Sequence, residues 1–119
     1  MASFDNNIVY LTTILDDVST ASSAWIAVPS SISGEIVEIA TVLGAAISGA
    51  NAAVTAEING VAVTGSTVTV AQSGSAAGDR DVAYPTAARS VTGGDNIEII
   101  TDGASTGTAK LYVTVAIRR

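Results

Sequence analysis

The clearest pattern along the chain is an alternation of apolar and polar side chains with a period of two residues. In the segment 111–117, one set of alternate positions is wholly apolar: Leu111, Val113, Val115 and Ile117. A period of two is the signature of a β-strand with one face in a core. The segment 96–101 is rich in isoleucine and ends at the turn Asp102-Gly103. We predict that these two segments pair as a C-terminal hairpin, around which the remaining strands assemble.

Six further segments have the composition of strands, with turn residues between them. They are predicted at 8–15, 24–28, 35–43, 53–58, 61–64 and 67–71. The dipeptide Asn59-Gly60 predicts a two-residue type I′ turn, because both turn positions need a positive φ. No segment has apolar residues at helical spacing with a cap. About eight strands at a spacing near ten residues predict a single-domain, all-β antiparallel β-sandwich that is jelly-roll-like.

Two segments do not show this pattern of strands and turns. Residues 1–7 are polar and are predicted to form an N-terminal arm, which precedes a β-sandwich domain of residues 8–119. Residues 72–94 are rich in Gly, Ala and Ser and show no sustained period, so they are predicted to form a long irregular loop. Long loops in compact domains are usually lids or contact loops. The arm and this loop are therefore the expected places for contacts with other proteins.

The candidate protein-contact residues lie on these two segments, together with the single tryptophan of the chain. Phe4 is expected to pack on its own domain or on a neighbouring subunit, since an isolated aromatic side chain often anchors an arm. Trp25 is expected in the core, with an oligomer interface as the second interpretation. The residues Arg80, Tyr84 and Arg89 complete the set.

The 119-residue chain has few charges, no cysteine and no histidine. Charged residues make up 13% of it, about half the usual share of roughly 25%. A surface so poor in charge is easier to explain if partners cover part of it. The net charge is −6 with five basic residues, which argues against binding to nucleic acid or to a membrane. No apolar run approaches the ~18 residues that span a bilayer, and residues 1–7 lack the features of a secretion signal.

The same composition leaves little chemistry for catalysis. Without His and Cys the usual proton shuttle and thiolate nucleophile are absent, so we predict that the protein is not an enzyme and has no cofactor or metal. Asp16 and Asp17 are expected in a solvated loop. Asp79 and Asp81 lack the other ligands of an EF-hand loop, and they are expected to pair with Arg80 or to line a contact surface.

Lys110 is the only lysine and begins the last predicted strand. If the C-terminal hairpin pairs simply, Lys110 is expected near Asn96 and Glu98. It is then either a solvated strand end or the donor of a Lys–Asn isopeptide bond, as found in some extracellular β-sandwiches. An intact mass that shows no loss of ammonia eliminates the bond.

The second half of the chain resembles small tailed-bacteriophage head proteins that decorate or cement the capsid. The residues that carry the resemblance are, in order, AVTAEINGVAV (53–63), SAAG (75–78), VTGGDNIEI (91–99), TDG (101–103) and VTVAIR (113–118). The resemblance implies a compact jelly-roll β-sandwich without catalytic residues. It also implies a cement protein that bridges major capsid protein subunits on the outside of the shell. Its expected partners are therefore the major capsid protein and itself, as a homodimer or homotrimer, and its location is the virion after synthesis in the host cytoplasm.

A carbohydrate- or receptor-binding β-sandwich module of a phage fibre or surface protein is the alternative interpretation. Jelly rolls also occur in lectins, and a fold does not decide a function. The small number of aromatic residues and the lack of a metal motif count against this alternative. Binding to a glycan array would distinguish it from capsid binding.

Overall fold

The computed structural model describes residues 7–119, which form ten β-strands and, within that range, no helix. Nearly all of the predicted arm, including Phe4, lies outside the described residues. The strands are β1 (Ile8–Leu15), β2 (Ser22–Ala27), β3 (Gly34–Leu43), β4 (Ala52–Ile58), β5 (Val61–Ala62), β6 (Val68–Val70), β7 (Arg80–Ala83), β8 (Ser90–Val91), β9 (Asn96–Thr101) and β10 (Leu111–Arg118).

The strands form two antiparallel sheets of five strands each. In sheet A the order is β1-β10-β3. The short strands β7 and β8 both pair with the free side of β3, one after the other, and together form an interrupted edge strand. In sheet B the order is β2-β9-β4, and β5 and β6 both pair with β4 in the same way. When each interrupted edge strand is counted as one strand, eight strands lie in two sheets. This arrangement confirms the predicted jelly-roll-like β-sandwich.

The prediction that β9 and β10 pair as a C-terminal hairpin is wrong. β9 lies between β2 and β4 in sheet B, whereas β10 lies between β1 and β3 in sheet A. The segment 102–110 therefore crosses from one sheet to the other. Alternation identifies the buried face of a strand, but it does not identify the neighbouring strand. Each of the two segments is a central strand of its own sheet.

The prediction of a continuous irregular loop over residues 72–94 is also wrong. This segment contains β7, which pairs with residues 39–42 of β3, and β8, which pairs with Gly34 and Glu35. Strands of four and two residues are too short to display a period of two. The segment completes sheet A instead of extending away from it.

Other local predictions are confirmed. β1 and β9 have the predicted bounds. The turn Asn59-Gly60 joins β4 to β5, with Ile58 paired to Val61 across it. The φ angles of Asn59 and Gly60 are 49° and 83°, both in the positive range that a type I′ turn requires. The local signals in the sequence are therefore sufficient where the pairing is local.

The core lies between the sheets and is built from the inward positions of both. The largest fully buried side chains include Leu15, Ile36, Ile39, Leu43, Ile97, Ile99, Leu111 and Ile117. Within residues 7–119, no buried side-chain nitrogen or oxygen lacks a hydrogen-bond partner. The Thr101 hydroxyl, for example, donates to the carbonyl oxygen of Val18 at 2.6 Å. The inner faces of the described residues therefore bury apolar side chains without leaving a buried polar side-chain atom unpaired.

Candidate functional site

The candidate functional surfaces are the two outer faces of the sandwich. The part of the chain that the structure describes has no enclosed pocket, and no three of its acidic side chains are grouped so that they could hold a metal ion. Over the same residues there is no helix that could cross a membrane. The two outer faces differ in their exposed apolar and aromatic side chains and in the arrangement of the charged side chains on each face.

The sheet A face is the outer surface of sheet A around Tyr10, Ile14, Val42 and Tyr112. Ile14 of β1 pairs with Tyr112 of β10, which pairs with Val42 of β3, so these three side chains form one row across adjacent strands. Tyr10 lies further along β1 and is 64% exposed, and Ile14 is 48% exposed. Of the seven exposed large hydrophobic residues in the described range, four lie on this face. Contiguous exposed apolar side chains mark interaction surfaces more often than scattered ones do.

Six charged side chains beside the sheet A face are paired within the chain. Three ion pairs join them: Arg80 with Glu38 at 3.4 Å, Arg89 with Glu35 at 3.5 Å, and Lys110 with Asp16 at 3.3 Å. Exposed pairs of this kind contribute little to stability, but they make this side of the molecule close to neutral. A partner can therefore cover the apolar row of the sheet A face without leaving any of these six charges unpaired.

The sheet B face is the outer surface of sheet B around Trp25, Glu57 and Glu98. Trp25 of β2 pairs with Glu98 of β9, which pairs with Glu57 of β4. Ile26 and Ile97, their neighbours in sequence, are buried, so the three side chains of this row point away from the core. Trp25 is 60% exposed. The expectation that Trp25 packs in the core is therefore wrong, because Ile26 takes the inward position of β2.

The two carboxylates of the sheet B face have no cationic partner within residues 7–119. Side chains directly opposite each other on adjacent strands have Cβ atoms roughly 4.5–5.5 Å apart, and like charges at that spacing are destabilising. All five basic residues of the chain lie on strands of sheet A or next to them: Arg80, Arg89, Lys110, Arg118 and Arg119. The sheet B face therefore carries negative charge that no side chain within residues 7–119 compensates locally.

The predicted contact residues Trp25, Arg80, Tyr84 and Arg89 are not brought together in one site. Trp25 belongs to sheet B, whereas the other three lie along the interrupted edge strand of sheet A that β7 and β8 form. Tyr84 directly follows β7 and is exposed. The fifth predicted residue, Phe4, lies outside the described residues. Of the four members of this set that lie within residues 7–119, Trp25 and Tyr84 are the aromatic ones, and both are exposed.

The two arginines of the set make contacts within the chain. Arg80 pairs with Glu38 on the adjacent strand and not with Asp79 or Asp81. The first of the two interpretations of these aspartates, a pair with Arg80, is therefore wrong, and the second, a contact surface, stays a prediction. The guanidinium of Arg89 lies 3.4 Å from the carbonyl oxygens of both Ile36 and Pro85. Arg89 therefore fastens the β7–β8 connection to β3.

Lys110 lies at the start of β10 and not near Asn96 or Glu98, so the expectation of their proximity is wrong. Its ammonium group is 3.3 Å from Asp16 Oδ1, in the connection between β1 and β2. The cause is the same as for the predicted hairpin, because Asn96 and Glu98 belong to the opposite sheet. Lys110 is a solvated strand end with one ion pair.

Two loop aspartates have lowered pKa values because backbone N–H groups donate to their carboxylates. The N–H of Ser19 donates to Asp17 at 3.0 Å and holds the pKa of that carboxyl below its ordinary value of 3.8. The N–H of Thr92 at 2.8 Å, helped by the side-chain amide of Asn59 at 2.9 Å, does the same for the pKa of Asp95. These contacts stabilise turns, in keeping with the prediction of a solvated loop at Asp17.

The sequence contains a signal for the sheet A face. β1 carries apolar side chains at both sets of alternate positions, so one set must lie outside the core. The acidic pair of the sheet B face had no such signal. Glu57 and Glu98 are far apart in the chain and meet only through the register of β4 with β9.

Comparison with known proteins gives matches in structure but not in sequence. No protein-family model matches the chain, and no curated protein matches it. A chain of a structure described as "Cyanophage Pam1 capsid asymmetric unit" is 15% identical with a TM-score of 0.55, over 99% of this chain and 89% of that chain. The "Crystal structure of Agl-KA catalytic domain" is 13% identical with a TM-score of 0.52, over 95% of this chain and 26% of that chain. At these identities the similarity shows the fold alone.

Proposed function

We propose that the protein is a structural virion protein that decorates and stabilises the outside of a bacteriophage capsid by bridging major capsid subunits. The observation that carries the proposal is the structural similarity to a cyanophage capsid chain, which extends over nearly all of both chains. The Agl-KA domain, by contrast, contains this fold within a much longer chain. The resemblance of residues 50–119 to capsid decoration proteins supports the same function.

The outer faces suit a protein that binds other proteins over a broad surface. The sheet A face is apolar and locally neutral, and the sheet B face presents one aromatic ring beside fixed charges. Such surfaces resemble protein interfaces, which combine apolar and aromatic anchors with a polar rim. The proposal assigns the chain no catalytic activity and no cofactor.

Within this proposal the sheet A face contacts another copy of the chain, giving a homodimer or homotrimer. Two copies with a net charge of −6 each repel one another least where the approaching surfaces are neutral. The three ion pairs beside the sheet A face provide that neutrality. Burial of Tyr10, Ile14 and Tyr112 then contributes roughly 25 cal/mol for each Å² of apolar surface removed from water.

A decoration protein stabilises a shell by mass action. A ligand that binds the assembled shell but not its separated subunits shifts the equilibrium toward the shell, by an amount set by affinity and concentration. A copy that touches two capsid subunits must lose one contact before those subunits can separate. Oligomers of the decoration protein add avidity on a repetitive lattice, so no single contact needs to be strong.

The experiment that tests this function uses phage particles produced from the genome that encodes the chain. We expect gradient-purified heads to contain the protein in a copy number comparable with that of the major capsid protein, with antibody labelling on the outside of the head. Mild chaotrope should release the protein and lower the temperature at which heads rupture. Adding back the purified protein should restore that temperature.

Two results would contradict the proposal. The protein would not be a decoration protein if it were absent from purified heads. Labelling confined to the tail or fibres would favour the alternative, a carbohydrate- or receptor-binding module. The exposed ring of Trp25 beside two carboxylates is the observation that favours this alternative, and a glycan array with a Trp25→Ala control tests it.

A further inference from the structure

The sheet B face is built rigidly enough to act as a preformed recognition surface. Glu98 lies on β9, a central strand that pairs along its length with β2 on one side and with β4 on the other. The backbones of Trp25, Glu98 and Glu57 are therefore fixed at adjacent positions before any partner arrives. A preformed arrangement binds more tightly than a flexible one, because less ordering is needed on binding.

The charges of this surface select one class of ligand. Two carboxylates directly opposite each other repel, and a cation placed between them converts that repulsion into two attractive contacts. Residues 7–119 supply no such cation, because the five basic residues lie on or next to sheet A strands. An aromatic ring at the end of the same row attracts a cation through its π face. The aromatic ring and the carboxylates, on three adjacent strands, thus favour the same ligand charge.

We propose that the sheet B face binds an arginine side chain presented by the surface of another protein. A guanidinium group is planar, offers its N–H donors in a fork that two carboxylates can share, and stacks on an indole ring, whereas a lysine ammonium is a compact, strongly hydrated charge. The inference rests on the proposed function for the identity of the partner, which is then the major capsid protein beneath this face. Its chemistry can be tested without the capsid.

Trp25 provides a direct measurement because it is the only tryptophan of the chain. The purified protein is titrated with a blocked hexa-arginine peptide while the fluorescence of Trp25 is recorded. The matched control peptide contains citrulline, which has nearly the shape of arginine but no charge. We expect a saturable change with the arginine peptide, a weaker one with hexa-lysine, none with citrulline, and a loss of binding as salt screens the charges.

Variants locate the site on the sheet. Glu57→Gln and Glu98→Gln keep the shape of the side chains and retain the fluorescent reporter, and each should weaken binding of the arginine peptide by roughly tenfold. Glu38→Gln, on the opposite sheet, is the matched control and should leave the affinity unchanged. Trp25→Ala, measured by calorimetry, should weaken binding by a similar factor. Equal affinities in the wild type and in the double variant Glu57→Gln/Glu98→Gln would overturn the proposal, as would equal binding of the citrulline peptide.

A second measurement separates this inference from the proposed function. Purified heads stripped of the protein are mixed with the wild type, with Glu57→Gln/Glu98→Gln and with Glu38→Gln, and the bound fraction is measured by sedimentation. Loss of binding only in the sheet B double variant supports the inference. Normal binding of that variant overturns the inference and leaves the decoration function intact. Absence of wild-type binding to the heads, together with selective binding of the arginine peptide at Trp25, would leave the arginine site intact and overturn the decoration function.

Discussion

The outer faces of the two sheets differ although both sheets belong to one small sandwich. On sheet A, Ile14, Tyr112 and Val42 form an apolar row, and the nearby charges are joined in ion pairs. On sheet B, the corresponding row consists of an indole and two carboxylates without a cation. An apolar, neutral partner surface would match the first, whereas positive charge would complement the second.

The inner and outer sides of a strand are subject to different physical constraints. The inner side of each sheet must be apolar and close-packed, so both inner faces are built mainly from Val and Ile, with Leu added on sheet A. The outer side is free of that requirement and can carry whatever side chains a partner needs.

Truncation of an inner-face residue should cost the same on either sheet. Leu111→Ala on sheet A and Ile99→Ala on sheet B each remove a side chain that is fully buried, and each should lower the free energy of unfolding by about 2–5 kcal/mol. Urea denaturation followed by circular dichroism measures the change. Ile14→Ala, on the sheet A face, is the control and should cost less than about 1 kcal/mol in dilute protein. An equal cost at Ile14 would show that this side chain is not on an outer surface.

Charges placed on the sheet A face should abolish self-association. Ile14→Glu/Tyr112→Glu puts two unpaired carboxylates into the proposed interface between copies, and burial of unpaired charge is strongly unfavourable. Light scattering after size exclusion should show a dimer or trimer for the wild type and a monomer for this variant, with unchanged circular dichroism. Val61→Glu changes a residue that is more exposed than either of these but lies on β5, and it should leave the oligomer intact. A monomeric wild type would contradict the assignment of this face.

Neutralising one glutamate should have opposite effects on the two sheets. Glu57→Gln relieves the repulsion with Glu98 on sheet B and should raise the free energy of unfolding by about 0.2–1 kcal/mol. Glu38→Gln removes the pair with Arg80 on sheet A and should lower it by about 0–1 kcal/mol, because the pair is exposed. Parallel denaturation curves at low salt measure both, and the two values should converge as salt is added. Destabilisation by both substitutions would contradict the absence of a cation beside Glu57.

Acid should weaken the turns at the two loop aspartates. The pKa of Asp17 and that of Asp95 are lower in the folded protein than their ordinary value of 3.8, so the unfolded chain takes up protons first as the pH falls. The stabilisation is therefore complete above about pH 4 and is lost progressively below that value. Thermal unfolding between neutral pH and pH 2 should show the decline, and Asp17→Asn/Asp95→Asn should reduce its slope. An unchanged slope in the double variant would assign the decline to other carboxyls.

Much of the fold could be predicted from local patterns. The bounds of β1 and β9 follow from their composition and flanking turn residues. The hairpin at Asn59-Gly60 follows from the need for positive φ at two adjacent positions. The candidate site could be predicted less well. Trp25 was identified as a contact candidate, but its expected place in the core was wrong, because a short strand such as β2 does not show from its sequence which of its faces is buried.

The sequence by itself determined the class of the fold, because a period of two and its turn residues depend only on neighbouring positions along the chain. It also determined what the surface lacks, since the scarcity of charge and the absence of His and Cys do not depend on folding. The tertiary structure decided which strands are neighbours, and it placed β9 and β10 in different sheets. It also placed Glu57 beside Glu98 and Ile14 beside Tyr112. These contacts join residues that are distant in the chain, and they depend on the register of whole strands, which no local pattern specifies.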